Sequence, residues 1–137
     1  MEPYLIAATM QLVVAQRLAR MLCGQCKAET KPSSDEMVIA KRFCPEAVGW
    51  TYYRGAGCPH CLKTGYRGRT AILESLEATD PIRELIQSGA SGVQLRQKAT
   101  ELGMEPLIVN GLDKVRRGIT TMEEVLSVCP VGDVVQV

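Results

Sequence analysis

Cys23-Gly24-Gln25-Cys26 and Cys58-Pro59-His60-Cys61 stand thirty-one residues apart in a chain of 137. Two C-x2-C knuckles of this kind can present four thiolates tetrahedrally to a zinc ion, with sulfurs about 2.3 Å from the metal. The spacing therefore predicts one zinc per chain, held by Cys23, Cys26, Cys58 and Cys61. The intervening stretch exceeds the roughly 15–20 residues of common zinc ribbons. Loop closure penalises that excess by only about half a kcal/mol per doubling, against on the order of 10 kcal/mol for structural zinc. The length thus predicts an insertion between the knuckles, over residues 31–44. Iron in a rubredoxin-like site uses the same four sulfurs, and spacing alone leaves both metals open.

Working outward, Cys58-Pro59-His60-Cys61 is also the active-site pattern of a strongly oxidising thioredoxin-fold enzyme, whose first thiolate sits at a helix N-terminus. Gly65 and Gly68 follow within a few residues and a strand-prone run follows them, so that helix is not expected. The thiol oxidoreductase reading accordingly ranks last. His60 lies between two ligands, where its ring points away from the metal. It is the only histidine, so no Ser-His-Asp or Cys-His pairing can be built without it. Cys44 and Cys129 belong to no motif and read as small buried hydrophobes. There is no Gly-Lys dipeptide, hence no P-loop, and no G-x-G-x-x-G, so the chain as given is not expected to hydrolyse nucleotides.

Composition narrows the class further. The chain is 46% hydrophobic, 23% charged and only 4% aromatic, so few large rings anchor a core and a metal cross-link would compensate. The longest apolar run covers residues 4–8, far short of the roughly 20 that span a bilayer. The Met1-Glu2-Pro3 start lacks a basic n-region, so no signal peptide is expected, and a reducing compartment favours metal binding over disulfides. The net charge of +1 conceals an asymmetry: residues 17–69 hold ten Lys/Arg against four acids. That basic segment suggests a free-standing zinc-ribbon nucleic-acid binder as the alternative reading. Four thiolates around Zn²⁺ would subtract two charges from it, and Tyr52, Tyr53 and Tyr66 are few for base stacking.

The pattern of elements predicts an α+β chain, mainly α. Residues 3–22 read as one helix, with Pro3 in its first turn and Ile6, Met10, Val13 or Val14, Leu18 and Met21 at helical spacing. Ser33 and Glu36 form a capping box for a helix over 34–41, residues 50–53 and 70–76 are β-prone, and residues 55–68 are glycine-rich. A small bundle of short helices follows. Asp80 caps a helix with Pro81 at its first position, Ser91 and Gln94 box a second, Pro106 starts a third, and Thr120 with Glu123 box a fourth that Pro130 stops. The expected units are residues 1–22, a tetracysteine subdomain at 23–78, a helical module at 79–129 and a tail at 130–137.

The same residues, in order, resemble a known family. Gln16-Arg17-Leu18, Arg20, Leu22-Cys23 and Cys26 are followed by Gly57-Cys58, Cys61, Thr64-Gly65-Tyr66, Gly68-Arg69, Ile72 and Glu74. Asp80, Ile82-Arg83, Leu85-Ile86, Gly89-Ala90, Gly103-Met104, Gly111, Lys114-Val115, Gly118, Thr120 and Glu123-Glu124-Val125 continue the match. This run is similar to the C-terminal part of the type II secretion and type IV pilus-extension ATPases. The resemblance implies a non-catalytic zinc-binding fragment of a hexameric, cytoplasmic traffic ATPase peripheral to the inner membrane. It implies that residues 1–22 belong to the ATPase core, and that ATP and Mg²⁺ are bound only by the full-length parent, since the Walker motifs are not found here. Its partners would be the rest of that core, neighbouring subunits and inner-membrane platform proteins, with no nucleic acid. Arg17 and Arg69 match arginines that the resemblance puts near the nucleotide or a subunit boundary. Ala71, Leu73 and Asn110 depart from residues frequent in the family, and none of them is a proposed ligand.

Overall fold

The computed structural model describes residues 1–131; most of the expected tail lies outside them. Helix α1 (Pro3–Thr9) leads into strand β1 (Leu12–Leu22), then β2 (Lys27–Thr30), α2 (Ser34–Phe43), a 3-10 turn (Pro45–Gly49) and β3 (Tyr52–Gly55). A second 3-10 turn (Pro59–Cys61), strand β4 (Tyr66–Glu77) and helices α3 (Asp80–Gln87), α4 (Gly92–Glu101), α5 (Leu107–Arg116) and α6 (Met122–Val128) complete the order. The expectation of a mainly α chain with some β structure and clustered cysteines holds.

The single helix expected over residues 3–22 is corrected. The chain leaves the helix at Met10, which is extended at φ −71° and ψ 130°, and continues as the eleven-residue β1. The reason is a partner that local periodicity cannot see. β4 pairs with β1 antiparallel from Leu12↔Glu77 to Arg20↔Arg69 and again at Leu22↔Tyr66, supplying a backbone ladder across more than forty residues of sequence. The apolar residues of β1 do not form one buried helical stripe: Leu12, Val13, Val14 and Leu18 are all exposed, and burial falls only on Ala19 and Leu22.

Pairing fixes which backbone groups face outward. The Ala78 N–H donates to the Gln11 carbonyl, so the hydrogen-bonded pairs recur at Val13, Ala15, Arg17 and Ala19, and the backbone groups of Leu12, Val14, Gln16, Leu18 and Arg20 point away from β4. At Arg20 both are taken. Its N–H donates to Glu124 Oε1 at 3.0 Å, and its carbonyl accepts the Thr120 hydroxyl at 2.7 Å. The Leu22 N–H then donates to the Ile119 carbonyl at 2.8 Å. The remaining outward edge, from Leu12 to Leu18, meets no further strand among the described residues.

The helices cover one face of the β1–β4 ribbon. Ile72 and Ala19 pack with Ile108, Leu112, Val115, Met122, Val125 and Cys129 in a core built from small and medium side chains. Cys129 and the partly buried Cys44 are core residues, as expected of thiols outside the motif. The capping boxes at Ser33–Glu36 and Ser91–Gln94 form as expected. Two helix starts differ. Thr79, rather than Asp80, occupies the N-cap position of α3 and makes no side-chain cap bond. The α6 cap lies one residue later than expected: the Thr121 hydroxyl accepts the Glu124 N–H, leaving Thr120 for Arg20. At α5, where Pro106 offers no capping side chain, Glu74 of β4 accepts the Leu107 N–H at 2.9 Å.

Glu124 joins α6 to the end of β1. Its buried carboxylate accepts from Arg20 Nε at 3.2 Å and Nη2 at 3.0 Å as well as from the Arg20 amide, while the guanidinium stacks 4.2 Å above the Tyr66 ring. Burial pushes this carboxyl up, but the Arg20 hydrogen bonds and charge outweigh it and hold it below its ordinary value of 4.5. Its contribution to stability is therefore complete above about pH 4.5 and is lost as pH falls through the lower folded value. Glu124→Ala should cost about 2 kcal/mol in urea unfolding at pH 7, and the cost relative to the parent chain should shrink in acid; a pH-independent difference would assign Glu124 a packing role only.

Candidate metal centre

The ribbon delivers the cysteines. Cys23 follows directly on Leu22 at the end of β1, and Gly65 directly precedes Tyr66 at the start of β4, so the register that joins Leu22 to Tyr66 also brings both knuckles to one end. The Cys23 N–H donates to the Gly65 carbonyl at 3.0 Å, and the Ala56 N–H donates to the Cys26 carbonyl at 3.1 Å. The small β2–β3 sheet, paired Lys27↔Gly55 to Thr30↔Tyr52, closes the insertion from the other side. Residues 31–44, expected to be the insertion, include the well-capped helix α2.

Four sulfurs meet there. The Sγ atoms of Cys23, Cys26, Cys58 and Cys61 all lie within 4.8 Å of one another. Cys23–Cys58 and Cys58–Cys61 are 3.7 Å apart and Cys26–Cys61 3.8 Å. A tetrahedral ion with metal–sulfur bonds of about 2.3 Å sets its sulfurs about 3.8 Å apart, whereas a disulfide would bring two of them to about 2.05 Å. The donor set therefore fits a four-sulfur metal ion, and these residues can hold one.

Backbone amides ring the sulfurs. Cys26 Sγ accepts the Gly57 N–H at 3.3 Å, and Cys61 Sγ accepts from Cys58 N at 3.3 Å and Gly65 N at 3.2 Å. Burial raises the Cys61 thiol, but these two amides and the neighbouring sulfurs outweigh it and bring the thiol down to about 6. Cys23 is also lowered, burial again being outweighed by the amides of Gln25 and Cys26. Cys26 is driven the other way, to about 11, by burial and by its hydrogen bonds with the adjacent thiols, its one amide being insufficient. Four mutually repelling thiolates ease into their charged form together only when a cation sits among them, so metal affinity should fall as pH falls.

Two glycines bring the chain close enough for this. Gly55 and Gly65 touch backbone to backbone: a Cβ on Gly65 would lie 2.7 Å from the Gly55 carbonyl oxygen, and one on Gly55 would overlap Gly65 itself. Gly65 also has φ +81°. The Thr64 hydroxyl, bonded to the Cys61 and Tyr66 carbonyls at 2.7 and 2.8 Å, fixes the turn between them. The sequence singled out the glycine turn after Cys61 but not the role of Gly55, because nothing in the local run identifies a contact partner ten residues later.

Other expected residues fall in different places. His60 is exposed and is not among the four converging residues, as expected. The residues after Cys58 form a 3-10 turn and then β4, not the helix that an oxidoreductase thiolate requires. Arg67 donates to the His60 carbonyl at 2.7 Å. Arg17, opposite Ile72 in the ladder, lines a 130 Å³ cleft with Glu74, Arg96 and Leu107, while Arg69 stands opposite Arg20 at the knuckle end; both are exposed. Lys27, which no sequence signal marked, donates to the Gly118 carbonyl at 2.8 Å with its ammonium 4.4 Å over the Tyr53 ring.

With this geometry in view, comparison with known proteins is decisive. A family model described as Type II/IV secretion system protein matches residues 1–127. The chain belongs to this family. It is 42% identical over 126 residues to the type IV pilus assembly ATPase PilB of Myxococcus xanthus, covering 91% of this chain and 22% of that protein. It is 41% identical over 127 residues to the type II secretion system ATPase E of Vibrio cholerae, covering 93% of this chain and 25% of that protein, and 41% identical over 126 residues to the PilB of Thermus thermophilus, covering 92% and 14%. The chain thus spans a quarter or less of the length of these curated relatives.

Gly55→Ala tests the backbone contact. It should destabilise the knuckle region by about 1–3 kcal/mol and weaken retention of metal against a chelator; a variant that holds metal as tightly as the parent would show that the contact can relax.

Proposed function

We propose that this chain is the C-terminal zinc-binding part of a hexameric traffic ATPase that powers type II secretion or type IV pilus assembly, and that it serves the motor as a non-catalytic structural and interaction module. Membership of the Type II/IV secretion system family supports the assignment to the motor. The observation that carries the module's own role is the clustering of four sulfurs within 4.8 Å, three pairs of them 3.7–3.8 Å apart, which joins two segments thirty-one residues apart in a chain with few aromatic side chains. In this reading Cys23, Cys26, Cys58 and Cys61 hold one zinc ion. Zinc supplies a cross-link there and no reaction.

The open edge of β1 supports the assignment of the first 22 residues to the ATPase core. Leu12, Val14, Gln16 and Leu18 turn their backbone groups outward, and Leu12, Val14 and Leu18 are roughly half exposed. A long apolar edge of this kind is a template for pairing with another strand, and isolated proteins usually blunt such edges with charge, proline or a bulge. The β1 edge is blunted only at Arg20. The nucleotide core of the parent, where ATP and Mg²⁺ would bind, is the covering partner in this reading. Arg17 and Arg69, exposed on the ribbon, would then face the nucleotide or a neighbouring subunit. The motor would work in the cytoplasm against inner-membrane platform proteins; no helix among the described residues is long and apolar enough to cross a membrane.

The basic segment is partly consumed inside the fold. Arg20 is bound to Glu124, Lys27 to Gly118 and Arg67 to His60. These ties favour the motor reading over the nucleic-acid binder, which would show strongly salt-dependent retention of DNA or RNA.

Elemental analysis of the purified chain should find one zinc per molecule, and zinc removal or Cys58→Ser should collapse the native spectrum of residues 23–78. Iron in zinc's place would replace the metal while keeping the site, whereas metal-free protein with an unchanged spectrum would remove the metal from the proposal altogether. For the β1 edge, amide hydrogen exchange at Val14 and Leu18 should be fast in the isolated chain and slowed at least a hundredfold in the full-length motor; equal exchange in both would leave the core docked elsewhere.

A further inference from the structure

The ribbon has a second open edge, on β4. Its ladder bonds fall at Thr70, Ile72, Glu74 and Leu76, so the backbone groups of Leu73, Ser75 and Glu77 point away from β1. The fold closes this stretch at both ends. Asn110 Oδ1 accepts the Leu73 N–H at 2.9 Å, and the Glu77 carbonyl accepts the Thr79 N–H at 3.0 Å. Between those ends the Leu73 carbonyl, both backbone groups of Ser75 and the Glu77 N–H have no partner among the described residues. Four unpaired main-chain groups along about 17 Å of strand are a template for one more strand.

The surroundings define what that strand is made of. Residues 73–77 line a cleft of about 500 Å³ together with Ile82 of α3 and residues 102–105 between α4 and α5. Its apolar lining includes Leu73 and Leu102, which are 43% and 49% exposed. Every charged residue lining it is acidic, namely Glu74, Glu77 and Glu105. Arg96, 3.6 Å from Glu74, balances the first. Glu77 and Glu105 have no ion-pair partner among the described residues. Thr79, whose buried hydroxyl lacks a hydrogen-bond partner, lines the same cleft. A row of main-chain groups beside an apolar, negatively charged trough fits an extended peptide whose apolar residues alternate with lysine or arginine.

We propose that the open edge of β4 is a docking site for an extended basic segment of a partner protein. The segment adds as a strand along residues 73–77, sets its apolar side chains against Leu73 and Leu102, and meets Glu77 and Glu105 with its cations. The site rests on the ribbon and the cleft and not on the reading of the chain as part of a motor.

Fluorescence anisotropy with a labelled Lys-Val-Lys-Val-Lys-Val-Lys peptide tests the site. The parent chain should bind it about tenfold or more tightly than the matching Glu-Val peptide, and less tightly as salt rises. Ser75→Pro removes one outward N–H and leaves the β1–β4 ladder untouched, so its thermal midpoint should move by no more than about 5 °C while binding falls about tenfold or more. Glu77→Gln and Glu105→Gln, on exposed side chains, keep the fold without relying on that proline; each should weaken binding about threefold to fivefold. Hydrogen exchange locates the contact: saturating peptide should protect the Ser75 and Glu77 amides and leave those of Val14 and Leu18 at their free rates. Equal binding of the two peptides, unchanged binding in folded Ser75→Pro or in both glutamine variants, protection at Val14 and Leu18 instead, or no binding at millimolar peptide would each overturn the proposal. Protection of Ser75 and Glu77 on self-association without peptide would do so as well, assigning the edge to a second copy of the chain.

Discussion

The pairing of β1 with β4 is the constraint on which the rest of this fold depends. One end of the ribbon continues into α1 and α3, and the other opens into both cysteine knuckles, so its register decides where the sulfurs arrive. In a strand a slip of one residue exchanges the two faces. Such a slip would turn Ile72 and Ala19 out of the core and carry Cys23 away from Gly65, losing apolar packing and the sulfur cluster together. The irregularity between Arg20 and Leu22 is where the ladder adjusts to both demands: Arg20 is clamped by Glu124 and Thr120, and Leu22 turns inward.

Charge is used inside this frame as a set of ties between distant segments. The Arg20 guanidinium meets the face of Tyr66 at the start of β4 and the Glu124 carboxylate of α6, while Lys27 reaches the loop between α5 and α6 across Tyr53. Each cation combines an aromatic face with an oxygen acceptor, which compensates for its partial desolvation. The tyrosines that looked too sparse for stacking nucleic-acid bases serve as platforms for the protein's own cations.

The convergence of the four cysteines was legible because its geometry is local: two C-x2-C turns specify their own shape, and the ring of amides follows from the glycines beside them. The capped helices α2 and α4 were legible for the same reason, since Ser33–Glu36 and Ser91–Gln94 each complete a box within one turn. Residues 12–22 read locally as helix because Val13, Leu18 and Met21 fit a helical spacing that extends the real helix α1, while the partner that makes them a strand lies more than forty residues downstream. At α6 the adjacent pairs Thr120–Thr121 and Glu123–Glu124 offer two equivalent boxes. A distant residue chooses between them, because Arg20 needs both the Thr120 hydroxyl and the Glu124 carboxylate.

The same long-range pairing sets an order of events during synthesis. Leu12 finds its partner only at Glu77, sixty-five residues later, and at about 5–20 residues per second β1 waits roughly 3–13 s for β4 to be made. Throughout that interval Cys23 and Cys26 lack their second knuckle, and the apolar run Leu12 to Val14 has no ladder. Until β4 is made, the backbone of β1 has no ladder to join, so the ribbon and the cysteine cluster can form only after most of the chain has been synthesised.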